Sequence, residues 1–427
     1  MTGTRATSEA ARPIGAGHIE KLIDEFAALS EPGTGVTRLG YSALEREAHA
    51  VFARELSALG LTVWTDTAGN TVAELPGRVE GAPAIGTGSH LDSVPQAGRF
   101  DGIAGVCAAI EAARAVVSSG WRPRATWRFV AFAAEEGARF GQACNGSRAA
   151  AGIVSPPQLD ALADAHGVTM TEAMRAVGLE PGRIAESRWN SEEWLAFIEL
   201  HIEQGTVLEA SDTVIGVVDA ISGSTRLLVR LDGVASHTGG TPMHQRQDAL
   251  VAAAECVLLC ERVATDATHH GTRVTVGRLD VHPGSITTIP GRVAFTIDVR
   301  DFDSARQRRT AHLLDDRFRQ ICAERGVGID TTIIGDTSPV ILPVDLVDTI
   351  VRAARDLDLP YRLLSSGASH DSQQISRITR TGMIFVPSVG GLSHVPEETT
   401  SFADIARGTD VLVRAMAAVD AEWGALA

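Results

Sequence analysis

Apolar and polar residues follow two different periods along this chain, and the order of these periods predicts an α/β protein. Apolar residues at every third or fourth position are typical of helices, and short continuous apolar runs are typical of buried strands. Helices are predicted over residues 18–30, 43–59 and 103–117, and strands over residues 82–88, 124–134 and 195–203. This alternation favours a sheet with helices on both faces, in which functional sites gather beyond the strand ends.

Local turn and capping signals refine the N-terminal part of this pattern. Residues 61–65 and 71–75 alternate and flank a Gly-Asn turn, which predicts a β-hairpin. Ser42 precedes the second helix and Glu45 follows three residues later, which is the spacing of a capping box.

The pattern changes from about residue 222. A strand, a helix, two strands, a second helix and a final strand follow in that order, which predicts a ferredoxin-like α+β unit. These segments are residues 224–232, 248–263, 272–281, 293–300, 305–325 and 329–334. The α/β pattern resumes near Asp345, so we predict one domain in two parts, residues 1–221 and 336–427, with an inserted domain over residues 222–335.

Composition and charge narrow the possible partners and the location. The 427 residues carry a net charge of −15, which argues against nucleic acid and against anionic membrane surfaces. The five cysteines are odd in number and lack paired spacing, so we interpret them as buried, reduced side chains. Residues 1–17 are polar, without the apolar core of a signal peptide, and no apolar run reaches the roughly 18 residues of a membrane span. We therefore predict a cytoplasmic protein.

Two adjacent carboxylates, Glu135 and Glu136, stand at the end of an apolar run. Such a pair loses hydration and repels itself unless a cation lies nearby. The chain offers further side chains of the types that bind divalent metals: His90, Asp101, His201 and His394. Three imidazoles with two or three carboxylates suit a pair of zinc or manganese ions, with cobalt and nickel also compatible. The sequence therefore predicts a dinuclear metal centre and a hydrolase.

Each of these residues also has a purely structural interpretation. His90 with Asp92 fits a surface turn, and Asp101 before Gly102 fits a helix N-cap. The glutamate pair could be solvated, and His201 could be a hydrogen-bonded core residue. Only the whole set, in this order along the chain, favours the metal centre.

The chain resembles a known family in five segments that contain these residues. The segments are residues 88–93 (GSHLDS), 98–102 (GRFDG), 135–137 (EEG), 200–205 (LHIEQG) and 387–394 (PSVGGLSH). They are similar to the dinuclear metal amidohydrolases of the amidase/hydantoinase/carbamoylase branch, in the clan of aminoacylases and zinc carboxypeptidases. The resemblance runs from about Thr37 to about Val413. It implies a mixed-sheet, metallopeptidase-like catalytic domain with an inserted lid and dimerisation domain, and hence a homodimer.

The resemblance also implies a role for each matching residue. His90 and His201 would hold one metal ion, Glu136 and His394 the other, and Asp101 would bridge them. Glu135 would be the general base, and Asp92 would orient His90. His237 would reach the neighbouring subunit's site, Arg300 would hold the substrate carboxylate, Gln204 would contact substrate, and His370 could line the same pocket.

One departure from the family pattern bears on the substrate. Thr287 stands where the family usually has a substrate-binding Asn, and Thr lacks the amide donor of Asn. We expect hydrolysis of an N-carbamoyl-L-amino acid. Allantoate or ureidoglycolate-type amidohydrolase, β-ureidopropionase, and N-acyl amino acid amidase or dipeptidase remain alternatives, as does a metal-dependent binding protein without catalysis.

Overall fold

The computed structural model describes residues 13–426. Most of the N-terminal stretch from which the lack of a signal peptide was predicted, residues 1–12, therefore lies outside the described residues. The strands are β1 (Thr62–Thr65), β2 (Thr71–Leu75), β3 (Ala84–His90), β4 (Trp127–Phe132), β5 (Trp194–Ile202), β6 (Ile215–Ile221), β7 (Gly223–Asp232), β8 (Arg273–His282), β9 (Arg292–Asp301), β10 (Gly328–Thr337), β11 (Val340–Ile341), β12 (Tyr361–Ser366) and β13 (Arg380–Val386). The α-helices are α1 (Ala16–Ala28), α2 (Ala43–Ala58), α3 (Ile103–Ser119), α4 (Asn145–Ala150), α5 (Pro156–Ala161), α6 (Met170–Ala176), α7 (Val207–Ala210), α8 (Ala249–Thr265), α9 (Ser304–Glu324), α10 (Val344–Arg355), α11 (Asp371–Ile375) and α12 (Phe402–Leu426).

The larger sheet is mixed. Its nine strands run in the order β1-β2-β4-β3-β5-β13-β6-β11, with β12 beside β6. The central strands β4, β3, β5 and β13 are parallel neighbours, and the β1–β2 hairpin and β6 join antiparallel. Parallel strands are buried on both faces, and every residue of β3 is buried here. The predicted mixed α/β fold is confirmed.

The smaller sheet has four strands in the order β10-β7-β9-β8, all antiparallel. With α8 and α9 it forms the predicted β-α-β-β-α-β unit. Alternate residues of β9 are buried against the two helices, and Phe295 packs edge-on against Phe318. This alternation is what a sheet covered on one face requires.

The chain divides into two compact units. One comprises the residues up to Asp219 together with those from Ile341 onward, and the other comprises Ala220–Val340. The predicted insertion spans residues 222–335, whereas β10 extends to Thr337. None of the described helices combines the length and the apolar character that a membrane span needs.

Two local expectations differ from the structure. The strand β6 was not predicted, and it belongs to the larger sheet, paired with β13. Ser42 does cap α2, since its hydroxyl accepts a hydrogen bond from the Glu45 amide. The Glu45 carboxylate does not complete a capping box, however, because it accepts hydrogen bonds from the Tyr41 and Ala134 amides instead.

Candidate metal centre

The carboxyl ends of four parallel strands bring the candidate residues together. His90 is the last residue of β3, and His201 lies one residue before the end of β5. Glu135 and Glu136 follow β4, and His394 follows β13 across a short turn. Because these strands are parallel neighbours, their ends meet at one edge of the sheet. Side chains that lie far apart in sequence therefore share one site.

The three histidines point the same ring nitrogen, Nε2, into the site. His90 Nδ1 lies 3.2 Å from the Asp92 carbonyl, and His201 Nδ1 lies 2.9 Å from the Ile202 carbonyl. A carbonyl oxygen only accepts, so it places the ring proton on Nδ1 and leaves the Nε2 lone pair available. His394 Nε2 faces the Asp101 carboxylate at 3.2 Å. This is the arrangement expected of imidazole metal ligands.

Asp101 lies between two groups of possible ligands. Its Oδ1 is 3.4 Å from His90 Nε2 and 3.2 Å from His201 Nε2. Its Oδ2 is 3.2 Å from His394 Nε2, and that nitrogen is 3.3 Å from Glu136 Oε1. In each group the ligand atoms all lie within 4.8 Å of one another. The N-cap interpretation of Asp101 is not observed, because Gly102 is the N-cap of α3 and no side chain caps that helix.

Gly102 permits this close approach. Its φ of 67° lies in the left-handed region, and a Cβ there would come within 2.5 Å of the His90 ring. A side chain at this position would therefore be strained by its backbone and would also collide with a candidate ligand.

The charges of the site fit divalent cations. Burial disfavours charge on His90, but hydrogen bonds to Asp101 and Asp92 outweigh burial and raise its pKa well above the usual value. Hydrogen bonds to Asp101 and Glu136 raise the pKa of His394 to about 11. Glu136 Oε1 is buried, and the nearby cationic group that faces it is His394 Nε2, at 3.3 Å. These carboxylates therefore demand positive charge, and the donor set of imidazole and carboxylate suits the metals expected from the sequence.

Glu135 is buried beside the two groups, and its two oxygens have different surroundings. Oε2 lies 3.9 Å from His90 Nε2. Oε1 accepts a hydrogen bond from the Cys144 thiol at 2.9 Å. Burial raises the pKa of Glu135 well above the usual value, and the charge of His90 opposes this. A carboxylate with a raised pKa near a metal centre is suited to accept and return a proton near neutral pH.

Gln204 and His370, the other candidates in the larger unit, take different positions. The Gln204 side-chain amide donates a hydrogen bond to Asp101 Oδ2 at 2.7 Å, and its own Oε1 is buried without a hydrogen-bond partner among residues 13–426. His370 is only 2% exposed and packs edge-on against the His201 ring at 4.6 Å. Its Nε2 lies 2.8 Å from the Ser366 hydroxyl. Substrate contact by either residue stays a prediction.

The smaller unit contains His237, Thr287 and Arg300. His237 is exposed, and its Nδ1 accepts hydrogen bonds from the Gly239 and Gly240 amides, both at 3.1 Å. The neutral ring therefore carries its proton on Nε2, where it is available as a donor. Thr287 is exposed in the loop before β9, and the next residue forms a bridge with His237. Arg300 lies near the C-terminal end of β9, and its Nε donates a hydrogen bond to the Asp298 carboxylate at 3.0 Å.

Comparison with known proteins agrees with this geometry. Residues 86–418 match the profile of the peptidase family M20/M25/M40. The chain belongs to this family. An N-carbamoyl-L-amino-acid amidohydrolase of Paenarthrobacter aurescens is 42% identical over 402 residues, which is 94% of this chain and 97% of that protein. An allantoate amidohydrolase of Escherichia coli strain K12 is 36% identical, over 90% of this chain and 92% of that protein.

A solved structure agrees with the sequence comparison. The amidase of the hydantoinase/carbamoylase family from Burkholderia vietnamiensis has a TM-score of 0.87 at 33% identity, covering 95% of this chain and 98% of that one. The resemblance inferred from five short segments is therefore confirmed for this M20 chain.

The M20 site contains a set of backbone contacts that the sequence patterns did not reveal. Four consecutive amides, those of residues 133–136, each donate to a side-chain oxygen. Asn70 accepts the first at 3.0 Å, Glu45 the second at 2.6 Å, and Asp92 the last two at 2.8 and 3.0 Å. We call this arrangement the amide cradle. It holds the backbone of residues 133–136 from three separate segments of the chain, and Asp92 alone holds the amides of Glu135 and Glu136.

We expect the Glu45→Gln substitution to remove a pH dependence of stability. Burial raises the pKa of Glu45 from 4.5 to about 8 in the folded protein. Between these values the unfolded chain loses a proton that the folded chain keeps, so the free energy of unfolding falls as the pH rises and is level above the window. E45Q should therefore gain stability relative to wild type as the pH rises from 4.5 to about 8.

Denaturant midpoints across this pH range, measured with a chelator present, test the expectation. Glu47→Gln is the matched control, because Glu47 is exposed on the same helix, and it should follow the wild type. Parallel pH profiles for E45Q and wild type would contradict the assignment.

Proposed function

We propose that this protein is a metal-dependent amidohydrolase that cleaves the linear ureido bond of an N-carbamoyl-L-amino acid, giving the amino acid, carbon dioxide and ammonia. The position of Asp101 carries the proposal, because its two oxygens face two separate groups of imidazole and carboxylate ligands. The 42% identity with an N-carbamoyl-L-amino-acid amidohydrolase supports the choice of substrate.

Two divalent cations per subunit, zinc or manganese, with cobalt or nickel as further possibilities, would be held by five side chains. His90 and His201 would bind one ion, Glu136 and His394 the other, and Asp101 both. Bound there, such ions lower the pKa of water and polarise a substrate carbonyl. Asp92 would orient the His90 ring, since its carboxylate lies 3.5 Å from His90 Nδ1. The same carboxylate accepts hydrogen bonds from the backbone amides of Glu135 and Glu136.

Glu135 would carry the proton through the reaction. Its Oε2 faces His90, so this oxygen takes a proton from water as the water oxygen attacks the carbonyl carbon. The same oxygen then donates the proton to the nitrogen that leaves as the carbon–nitrogen bond breaks. The burial that raises the pKa of Glu135 makes the carboxylate a better proton acceptor in the first step, and it lets the carboxyl group hold the proton until the second step.

The substrate would be held by residues from two copies of the chain. His237 Nε2–H would stabilise negative charge on the carbonyl oxygen, and Arg300 would bind the α-carboxylate. Within one smaller unit these groups lie at opposite ends of the sheet. At one end of β9, Arg292 pairs with Asp232, which is close in sequence to the His237 loop. At the other end, Arg300 pairs with Ser224. The eight residue steps of β9 from Arg292 to Arg300 span roughly 26 Å, which is far longer than the substrate.

We therefore propose a homodimer in which the smaller unit serves as lid and dimerisation domain and the larger unit is catalytic. His237 of one subunit would complete the site of its partner. In that arrangement the His237 and the Arg300 that contact one substrate molecule come from different subunits.

Mixing two inactive variants should restore activity. His237→Ala should lower kcat by about 100-fold, because a donor to the developing negative charge is lost. In a heterodimer with Glu135→Gln, one site has both an intact Glu135 and an intact His237. An equimolar mixture after subunit exchange should therefore regain about a quarter of wild-type activity. If native mass spectrometry shows heterodimers and turnover stays absent, His237 does not act across subunits.

A substrate panel tests the reaction itself. It contains N-carbamoyl, N-acetyl and N-formyl amino acids of both configurations, N-carbamoyl-β-alanine, a dipeptide, allantoate and ureidoglycolate, each assayed after reconstitution with zinc, manganese, cobalt and nickel. The highest kcat/KM is expected for an N-carbamoyl-L-amino acid. Allantoate belongs in the panel because one relative is an allantoate amidohydrolase. A clear preference for any other compound would replace the proposed substrate.

A further inference from the structure

The Cys144 thiol contacts the proposed general base, although no sequence pattern assigned it a role. Its Sγ donates to Glu135 Oε1 at 2.9 Å, and its backbone amide donates to the Glu135 carbonyl at 2.6 Å. One residue thus holds both the main chain and the side chain of Glu135.

We infer that Cys144 is a positioning residue that fixes the Glu135 carboxylate so that Oε2 alone is available to the reaction. The inference rests on the proposed function, in which Glu135 transfers the proton. A carboxylate can rotate about its last bond, which turns the plane that contains its two oxygens. A donor on one oxygen fixes this plane, and the other oxygen, Oε2, then lies 3.9 Å from His90 Nε2.

The thiol is built to donate rather than to react. Cys144 is 1% exposed, and burial with the nearby charge of Glu135 raises its pKa well above the usual value. A thiol of this kind stays protonated and is a poor nucleophile. Its proton therefore remains on sulfur, with Glu135 Oε1 as the nearer acceptor at 2.9 Å and the His370 carbonyl oxygen at 3.7 Å.

The backbone around Cys144 has its own supports, so the thiol can be changed without releasing the loop. The Asn145 side-chain amide donates to the Ala134 carbonyl at 3.0 Å and to the Gln142 carbonyl at 2.6 Å. The Asn145 and Gly146 main-chain amides donate to the carbonyls of residues 134 and 133. Substitution at Cys144 should therefore affect the carboxylate more than the fold.

The test compares Cys144→Ala, which removes the donor, with Cys144→Ser, which restores one. For Ala we expect kcat to fall about 10-fold, as for loss of a hydrogen bond to a charged group, with KM and metal content unchanged. Ser should recover most of the loss. Cys260→Ala, at a buried thiol of the smaller unit, should behave as wild type. Wild-type kcat in Cys144→Ala, or equal loss in Ala and Ser, would overturn the inference.

An infrared measurement tests the contact without turnover. The S–H stretching band of Cys144 is identified as the band missing from Cys144→Ala. It should lie below the bands of the other buried thiols, because hydrogen bonding lowers its frequency, and should rise in Glu135→Ala. A band unmoved by Glu135→Ala would refute the contact. If the wild-type protein hydrolyses nothing in the panel, the proposed function fails while this measurement still decides the contact.

Discussion

Replacing Glu135 by Gln should lower kcat by about 10³-fold while the protein keeps its metal ions. Gln has nearly the same shape but cannot take a proton from water or return it to the leaving nitrogen. No candidate ligand is altered, since Glu135 belongs to none of the groups of side chains that could hold a metal ion. Steady-state kinetics with the best substrate of the panel, together with elemental analysis of the purified variant, measure both quantities.

Glu397→Gln is the control for this experiment. Glu397 is an exposed glutamate three residues after His394, and the same substitution there should leave kcat unchanged. The comparison also separates an enzyme from a metal-dependent binding protein, which has no need of a proton acceptor. Undiminished turnover in E135Q would remove Glu135 from its proposed role.

Replacing Asp101 by Asn should prevent two metal ions from binding together in the site. It should also lower kcat by at least about 10³-fold. The Asp101 carboxylate faces His90 and His201 with one oxygen and His394 with the other. Asn has one oxygen and one NH₂ group, so one of the two groups would face donor hydrogens instead of a ligand. Elemental analysis should find fewer than two ions per chain.

Asp212→Asn makes the same chemical change at an exposed position and should retain two ions and full turnover. Circular dichroism of Asp101→Asn should match the wild type, because the α3 N-terminus does not use this side chain as a cap. Two tightly bound ions per chain in Asp101→Asn would show that it is not the bridging ligand.

The sequence allowed the candidate ligands to be grouped because parallel strands translate order along the chain into position. His90, His201 and the Glu135–Glu136 pair each follow an apolar run, and such runs become neighbouring strands whose ends meet at one edge. The β-α-β-β-α-β unit was likewise predicted from the order of its strand-like and helix-like segments. The sequence pattern sufficed where the residues to be grouped stood at the ends of strands in one sheet, even with helices between those strands along the chain.

The contacts that support the site could not be predicted in the same way. Glu45 and Ala134 are 89 residues apart, and within its own helix Glu45 has the spacing of an ordinary capping residue. Cys144 was interpreted with the other cysteines as a small apolar side chain, and it is indeed buried. Its hydrogen bond depends on the path by which the loop after β4 comes back to Glu135. The periodicity of apolar residues does not predict that path.

The amide cradle has a consequence for how this enzyme tolerates change. Its acceptors bind main-chain hydrogens, which are the same whatever side chain the donor residue carries, so the shape of residues 133–136 is specified largely from outside. Inherited or engineered variation at Asn70, Glu45 or Asp92 would therefore affect the backbone of the proposed general base without changing residues 133–136 themselves. Screens that mutate only positions expected to face the substrate would leave these three acceptors untested.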